Sequence, residues 1–207
     1  MDKSFVIKTT ILGNAGVGKS AIVNAINGED FNVNLTSTVG VDFICIKKNR
    51  QNITYKFFCY DLAGQEAYFS ITTSYFRDGK ICLFIYDLTD IESLNKLTWW
   101  EKEFDDKNRE KKPLKIFVGN KSEIKSIDNS EFIKNLEERG IKHIEVSAKE
   151  NINIKVLEKM ITDDYIDNYL NYSEVIEKIN IISDIKPQSD CYVKLDDTKK
   201  NIKNSCC

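Results

Sequence analysis

The sequence predicts an α/β fold, a mostly parallel six-stranded sheet with helices on both faces. Three observations predict it. Apolar runs of strand length alternate with longer runs whose apolar residues recur every three or four positions. Two of the strand-like runs, Lys80 to Asp87 and Leu114 to Val118, are apolar almost throughout, as strands buried on both faces are. Polar, chemistry-bearing motifs follow directly after strand-like runs, at the carboxyl strand ends where such sheets bind ligands.

In chain order, Ser4 to Leu12 is a strand that ends at a glycine-rich turn, and Ser20 to Ile26 opens a helix. Val39 to Lys47 and Ile53 to Tyr60 are strands, and Lys48 to Asn52 between them reads as a hairpin, the one antiparallel pair. After the buried strand Lys80 to Asp87, residues Ile91, Leu94, Leu97, Trp100 and Phe104 mark one helix face. Leu114 to Val118 is the next strand. Ser130 to Arg139 is a short helix closed by Gly140. Ile141 to Val146 is a strand, and Ile152 to Leu170 a helix with apolar Val156, Leu157, Met160, Ile161 and Tyr165. Beyond residue 170, Tyr172, Val175, Ile176, Ile179 and Ile182 keep a helical step, so the helix continues or restarts and packs on the domain. Its polar face is too acidic for a membrane-surface helix. From Lys186 onward the chain is polar and expected to be disordered.

The composition excludes other classes. In 207 residues, 30 Lys and Arg stand against 32 Asp and Glu, with 42% apolar residues, a balance of globular proteins. Nine glycines and two prolines exclude a linker-like chain. The pI near 5.6 argues against nucleic acid as a partner. No stretch approaches the roughly 18 apolar residues of a membrane span. The N-terminus runs straight into strand-like sequence and does not read as a signal peptide. Of the six cysteines, Cys45, Cys59 and Cys82 lie in apolar runs and are expected as small buried hydrophobes, while Cys206 and Cys207 end the chain, where a disulfide would staple nothing. A reducing, cytosolic setting is expected.

Gly13-Asn14-Ala15-Gly16-Val17-Gly18-Lys19-Ser20, followed by Ala21, fits G-x-x-x-x-G-K-[S/T] between a strand and a helix. Glycines let backbone N–H groups converge on phosphate oxygens, and the helix N-terminus adds positive potential. Lys19 can reach the β- and γ-phosphates, and the Ser20 hydroxyl can ligate Mg²⁺. Asp61-Leu62-Ala63-Gly64-Gln65-Glu66 places Asp61 at a strand end within reach of that metal. Gly64 permits a backbone N–H near the γ-phosphate, and Gln65 can orient a water for in-line attack. Thr38, just before a strand, could offer the metal a second hydroxyl. Asn120-Lys121 and Ser147-Ala148-Lys149 each follow a strand.

Together, in this order and spacing, these motifs resemble the small GTPases of the Ras superfamily over roughly residues 4 to 170, which implies a P-loop NTPase small G domain. Within it the chain resembles the Rab proteins at Val39-Gly40-Val41-Asp42-Phe43, at Ile71 to Arg77, at Trp100 and at the double-cysteine end Ser205-Cys206-Cys207, with residues 171–207 as the variable tail. The resemblance implies a GTP/GDP switch with Mg²⁺, slow hydrolysis with Gln65 as the catalytic residue, and switch loops around Phe31 to Val41 and Leu62 to Arg77. It further implies an exchange factor, a GTPase-activating protein, effectors, a GDP-dissociation inhibitor and a prenylation escort. Cys206 and Cys207 would carry lipids that anchor the chain on the cytoplasmic face of intracellular membranes, in vesicle traffic, cycling with cytosol. Val193 and Leu195 read either as the aliphatic pair that the resemblance implies for the escort or as a chance pattern. Phe31 stands seven residues before Thr38, where the family places an aromatic against guanine; a plain core phenylalanine is the other reading.

The chain departs from the family at several positions. Glu123 stands where the Asn-Lys-x-Asp motif has aspartate, Leu62 replaces threonine, Tyr60 tryptophan, Ala67 arginine and Leu35 tyrosine. Ala15 stands where Rab proteins often have serine. These departures motivate an alternative, a nucleotide-locked interaction module with little GTPase activity. A P-loop kinase or ATPase is disfavoured, because no acceptor site or basic lid is visible. His143 is expected to have no chemical role, and Trp99-Trp100 to be one core and one surface residue.

Overall fold

Ile81–Asp87 is buried at every position and occupies the middle of a six-stranded sheet. In this computed structural model, which describes residues 3–32, 41–62, 75–108, 112–171, 173 and 175, the strands are β1 (Lys3–Leu12), β2 (Val41–Arg50), β3 (Ile53–Leu62), β4 (Ile81–Asp87), β5 (Leu114–Asn120) and β6 (Lys142–Glu145). Their spatial order is β2-β3-β1-β4-β5-β6. Only the β2–β3 pair is antiparallel; β1 pairs parallel with β3 and β4, and β5 with β4 and β6. The strand order reverses between β1 and β3 on one side and β4 on the other, which opens a crevice at the carboxyl ends of those strands.

Side-chain alternation explains why both faces of β4 are apolar. Ile81, Leu83 and Ile85 join one core cluster with Ile7, Ile11 and Phe57, and Cys82, Phe84 and Tyr86 join another. The first cluster is closed by α1 (Lys19–Ile26), α5 (Ile154–Ile161) and α6 (Asp163–Asn168), through Ile22, Val23, Leu157, Ile161 and Tyr165. The second is closed by α3 (Leu97–Lys107) and α4 (Ser130–Glu138), with α2 (Ile91–Asn95) leading in. Phe84 stacks on Phe117 at 4.8 Å and meets the Phe104 edge at 5.9 Å. Each such side chain taken out of water contributes about 1.5–3 kcal/mol.

Several elements differ from expectation. The hairpin turn is two residues, Gln51-Asn52, both at positive φ (48° and 63°), because Arg50 already pairs with Ile53. The extra strand length is held by side chains: Lys48 pairs with Glu158 at 3.0 Å, and Arg50 with Asp163 at 3.6 Å and with Asp167. The helix expected over Ile91 to Phe104 is two helices meeting at Lys96, whose near-helical angles leave the apolar periodicity undisturbed. The helix expected over Ile152 to Leu170 begins at Ile154 and breaks at Thr162, whose hydroxyl donates back to the Glu158 carbonyl at 2.8 Å. Ile152 instead forms a bridge with Ser147. Cys59 and Cys82 are buried as expected, but Cys45 on the edge strand is only half-buried. Beyond α6, Val175 donates its N–H to the Asn171 carbonyl at 3.1 Å and is buried in the first cluster. No described helix is long and apolar enough to cross a membrane.

Candidate functional site

The turn between β1 and α1 exists because of its glycines. Gly13, Gly16 and Gly18 all have positive φ. A Cβ on Gly13 would stand 2.1 Å from the Ile85 carbonyl oxygen, and one on Gly18 2.2 Å from Asn120 Nδ2, so neither position accepts a side chain. Val17 is buried beneath the loop, while Ala15 and Gly16 are exposed at its rim. Lys19 opens α1 and turns back into the loop, where Nζ donates to the carbonyls of Gly13 (3.0 Å) and Asn14 (2.9 Å). Burial lowers its pKa to about 8, with the Asp61 charge opposing that shift. A desolvated ammonium ringed by backbone groups at a helix N-terminus is suited to a polyphosphate.

Ser20 and Asp61 meet across the crevice. The Ser20 hydroxyl donates to Asp61 Oδ2 at 2.5 Å, and Asp61 is 2% exposed at the end of β3. A hydroxyl and a carboxylate are the hard oxygen donors that Mg²⁺ takes alongside phosphates, so these two residues fit that ion.

Asn120, at the end of β5, joins three loops. Its Nδ2 donates to the Val17 carbonyl at 2.9 Å, its Oδ1 accepts from the Ala148 N–H at 3.2 Å, and its own carbonyl accepts from the Leu88 N–H at 2.9 Å. Lys121 follows in the left-handed region (φ 65°) and its Nζ pairs with Asp87 Oδ2 at 2.5 Å. Asp87 also accepts from the Thr89 N–H and hydroxyl at 2.8 and 2.7 Å. Burial pushes the Asp87 pKa up, but Lys121 and Thr89 outweigh it and hold the carboxyl below its ordinary value. Ser147 is fully buried, its hydroxyl accepting from the Glu150 N–H at 2.9 Å, and Lys149 is exposed beside Glu150. Glu123 lies in the 3₁₀ turn Ser122–Ile124. Ser122 Oγ and Glu123 Oε2 are both buried and have no hydrogen-bond partner. Two such oxygens in one turn suit a ligand edge rich in donors.

The structure therefore brings Gly13 to Ala21, Asp61, Asn120, Lys121, Glu123, Ser147 and Ala148 to one end of the sheet. Phe31 is 42% exposed, which overturns the core-phenylalanine reading. Thr38, Gly64, Gln65, Leu35, Ala67, Cys206, Cys207 and the Val193–Leu195 pair lie outside the described residues. Asp87 and Thr89 were missed; a charged residue closing the apolar β4 run was the available signal. His143 Nε2 hydrogen-bonds Tyr86 Oη at 2.9 Å. Trp100 is buried and Trp99 half-buried, and the Trp100 indole N–H donates to Asn14 Oδ1 at 3.1 Å. Beside the crevice, Phe43, Phe58, Tyr60 and Tyr75 form an aromatic row with centroids 5.5 to 6.4 Å apart, with Phe43 56% exposed and Lys8 over Tyr60 and Tyr75.

A sequence profile of the Ras family matches residues 8–166, which contain every described site residue. The chain is 30% identical to the Ras-related protein RABE1e of Arabidopsis thaliana, over its whole length and 94% of that protein. It is 28% identical to the Ras-related protein Rab11A of Nicotiana tabacum, across 98% of this chain and 94% of that one. To the GTP-binding protein YPTM1 of Zea mays it is 33% identical, across 73% and 74% respectively.

Proposed function

Because this chain belongs to the Ras family, as a small GTPase of the Rab type, we propose that it is a GTP/GDP switch that loads GTP with Mg²⁺, hydrolyses it slowly and recruits effectors in intracellular vesicle traffic. One observation carries the reading. Asn120 ties the phosphate loop to the Ser147-Ala148 loop, so a phosphate cradle and a base pocket form one unit.

Each residue then has a task. Lys19, held by the Gly13 and Asn14 carbonyls, offers its remaining N–H to the phosphate oxygens, and its burial strengthens that attraction. Ser20, Asp61 and Thr38 would hold the magnesium ion, which neutralises phosphate charge when bound. Gly64 offers its N–H to the γ-phosphate, and Gln65 orients the attacking water, a positioning role that needs no covalent chemistry. Glu123 accepts from the guanine edge, Lys121 and Ala148 line the base, and Phe31 covers it. Lys149 stands at the rim of the same pocket. Effectors read the two switches together with the exposed Phe43 and the half-buried Phe58, Tyr60 and Tyr75 beside it. An exchange factor and a GTPase-activating protein set the cycle. Lipids on Cys206 and Cys207, added with a prenylation escort and masked by a GDP-dissociation inhibitor, place the chain on the cytoplasmic face of membranes.

The test is nucleotide affinity of the parent and of Ser20→Asn with and without Mg²⁺. The parent binds both GDP and GTP, and the variant loses GTP more than GDP, because the hydroxyl would help hold a magnesium ion that offsets phosphate charge, and GTP carries more of that charge. Equal loss of both contradicts the assignment of Ser20, and no guanine nucleotide binding by the parent contradicts the whole reading.

A further inference from the structure

The Asn14–Trp100 hydrogen bond spans 86 residues and joins the phosphate loop to the middle of α3. Trp100 is 3% exposed, so its indole N–H, a donor with no acceptor capacity, is satisfied in the core by a loop residue. Asn14 is held at both ends: its side chain by Trp100 and its carbonyl by the Lys19 ammonium. The Trp100 and Phe76 rings lie 6.5 Å apart, centroid to centroid, with their planes 63° apart. Phe76 is fully buried, and its carbonyl accepts from Asn108 Nδ2 at 2.8 Å, at the C-terminal end of the same helix.

We propose that Trp100 is a positioning residue for phosphate binding: through Asn14 it fixes the carbonyl geometry that seats Lys19. This rests on the reading of Gly13 to Ser20 as a phosphate loop. Trp100 touches no phosphate. It acts by deciding where Asn14 stands, and α3 is the rigid element that carries Trp100.

The experiment is a double-mutant cycle on release of fluorescently labelled GDP from the full chain. Trp100→Phe keeps a ring against Phe76 but removes the N–H, and Asn14→Ala removes the acceptor while leaving the core intact. Each single variant should release GDP about fivefold faster or more, since a lost hydrogen bond with one partner left buried has at least that effect. The double variant should release it no faster than the worse single. A purely structural role for Trp100 would instead lower the melting temperature and give effects that multiply. A second readout uses the fact that the chain has only two tryptophans. In a Trp99→Phe background, Trp100 emission should change when nucleotide is released, and Asn14→Ala should abolish that change. Multiplying effects, unchanged release in folded Trp100→Phe, or an emission change that survives Asn14→Ala each overturn the proposal. A parent that holds labelled ADP as long as labelled GDP would refute the guanine reading alone. The cycle then runs on ADP, because it concerns the phosphates.

Discussion

Glu123→Ala removes the carboxylate whose Oε2 is buried without a partner in the turn after β5. A bound guanine offers that turn two donors, N1–H and the N2 amino group, and adenine offers one donor beside an acceptor. A hydrogen bond to a charged group is worth about 1.5–3 kcal/mol, so losing one lowers GDP affinity by about 10- to 150-fold. ADP should lose far less, so selectivity falls by nearly the same factor. The phosphate contacts of Lys19 and the Asn120 clamp are untouched, which leaves measurable binding. Glu123→Asp has the opposite expected sign. Glutamate is longer than aspartate by one methylene, roughly 1.3 Å, which sets the carboxylate off the ideal fork, so the aspartate variant should hold GDP longer. Stopped-flow release of labelled GDP from the three proteins, with unlabelled ADP and GDP as competitors, measures both effects. If Glu123→Ala costs ADP as much as GDP, the residue does not read the base. If Glu123→Asp releases GDP as fast as the parent, glutamate already makes both bonds and the account of this departure fails.

Gln65→Leu should keep GTP binding and slow hydrolysis tenfold or more in single-turnover assays, on the order expected for losing the water-orienting residue; equal rates would refute that role. Truncating Cys206 and Cys207 should leave nucleotide binding intact and shift the protein from membrane to soluble fractions, since two lipids give stable anchoring; a truncated chain that still sediments with membranes contradicts the anchor. Glu101 is 8% exposed and pairs with Lys115 at 2.9 Å and Arg139 at 2.5 Å. Burial pushes its pKa up, but Arg139 and Lys115 outweigh that and hold it below the ordinary 4.5. A depressed carboxyl stabilises the fold above its unfolded pKa and loses that contribution as pH falls through its folded pKa. Glu101→Gln should therefore cost about 1.5–3 kcal/mol near neutrality in denaturant melts, with the gap from the parent closing below pH 4.5; a gap that stays constant into acid would refute the charge argument.

What the sequence made legible was local. The strand Lys80 to Asp87 reads as buried because every residue in it but the first is apolar or closes the run, and the phosphate loop reads from spacing because glycine is the residue that its left-handed turns accept. Periodicity could not see the break at Lys96, since the helix face continues through it. Nor could it see that Ile152 leaves the helix to pair with Ser147. The long-range contacts were invisible for a different reason. Asn120 reaches Val17 across 103 residues, and no local pattern marks an asparagine as a clamp rather than a turn former. The same holds for Trp100, which reads from sequence as one apolar position on a helix face and proves to be the donor that holds Asn14.

The most direct test of the central claim is the nucleotide itself. Purified full-length chain, denatured and its supernatant separated by chromatography, should yield guanine nucleotide. Reloaded with GTP and Mg²⁺, it should release phosphate at well below about one turnover per minute, the slow intrinsic rate of a switch without an added arginine finger. Adenine nucleotide in the eluate, or no nucleotide at all, would contradict the claim of a guanine site. Guanine nucleotide with bound GTP unchanged over many hours would make the chain a nucleotide-locked binding module rather than a switch.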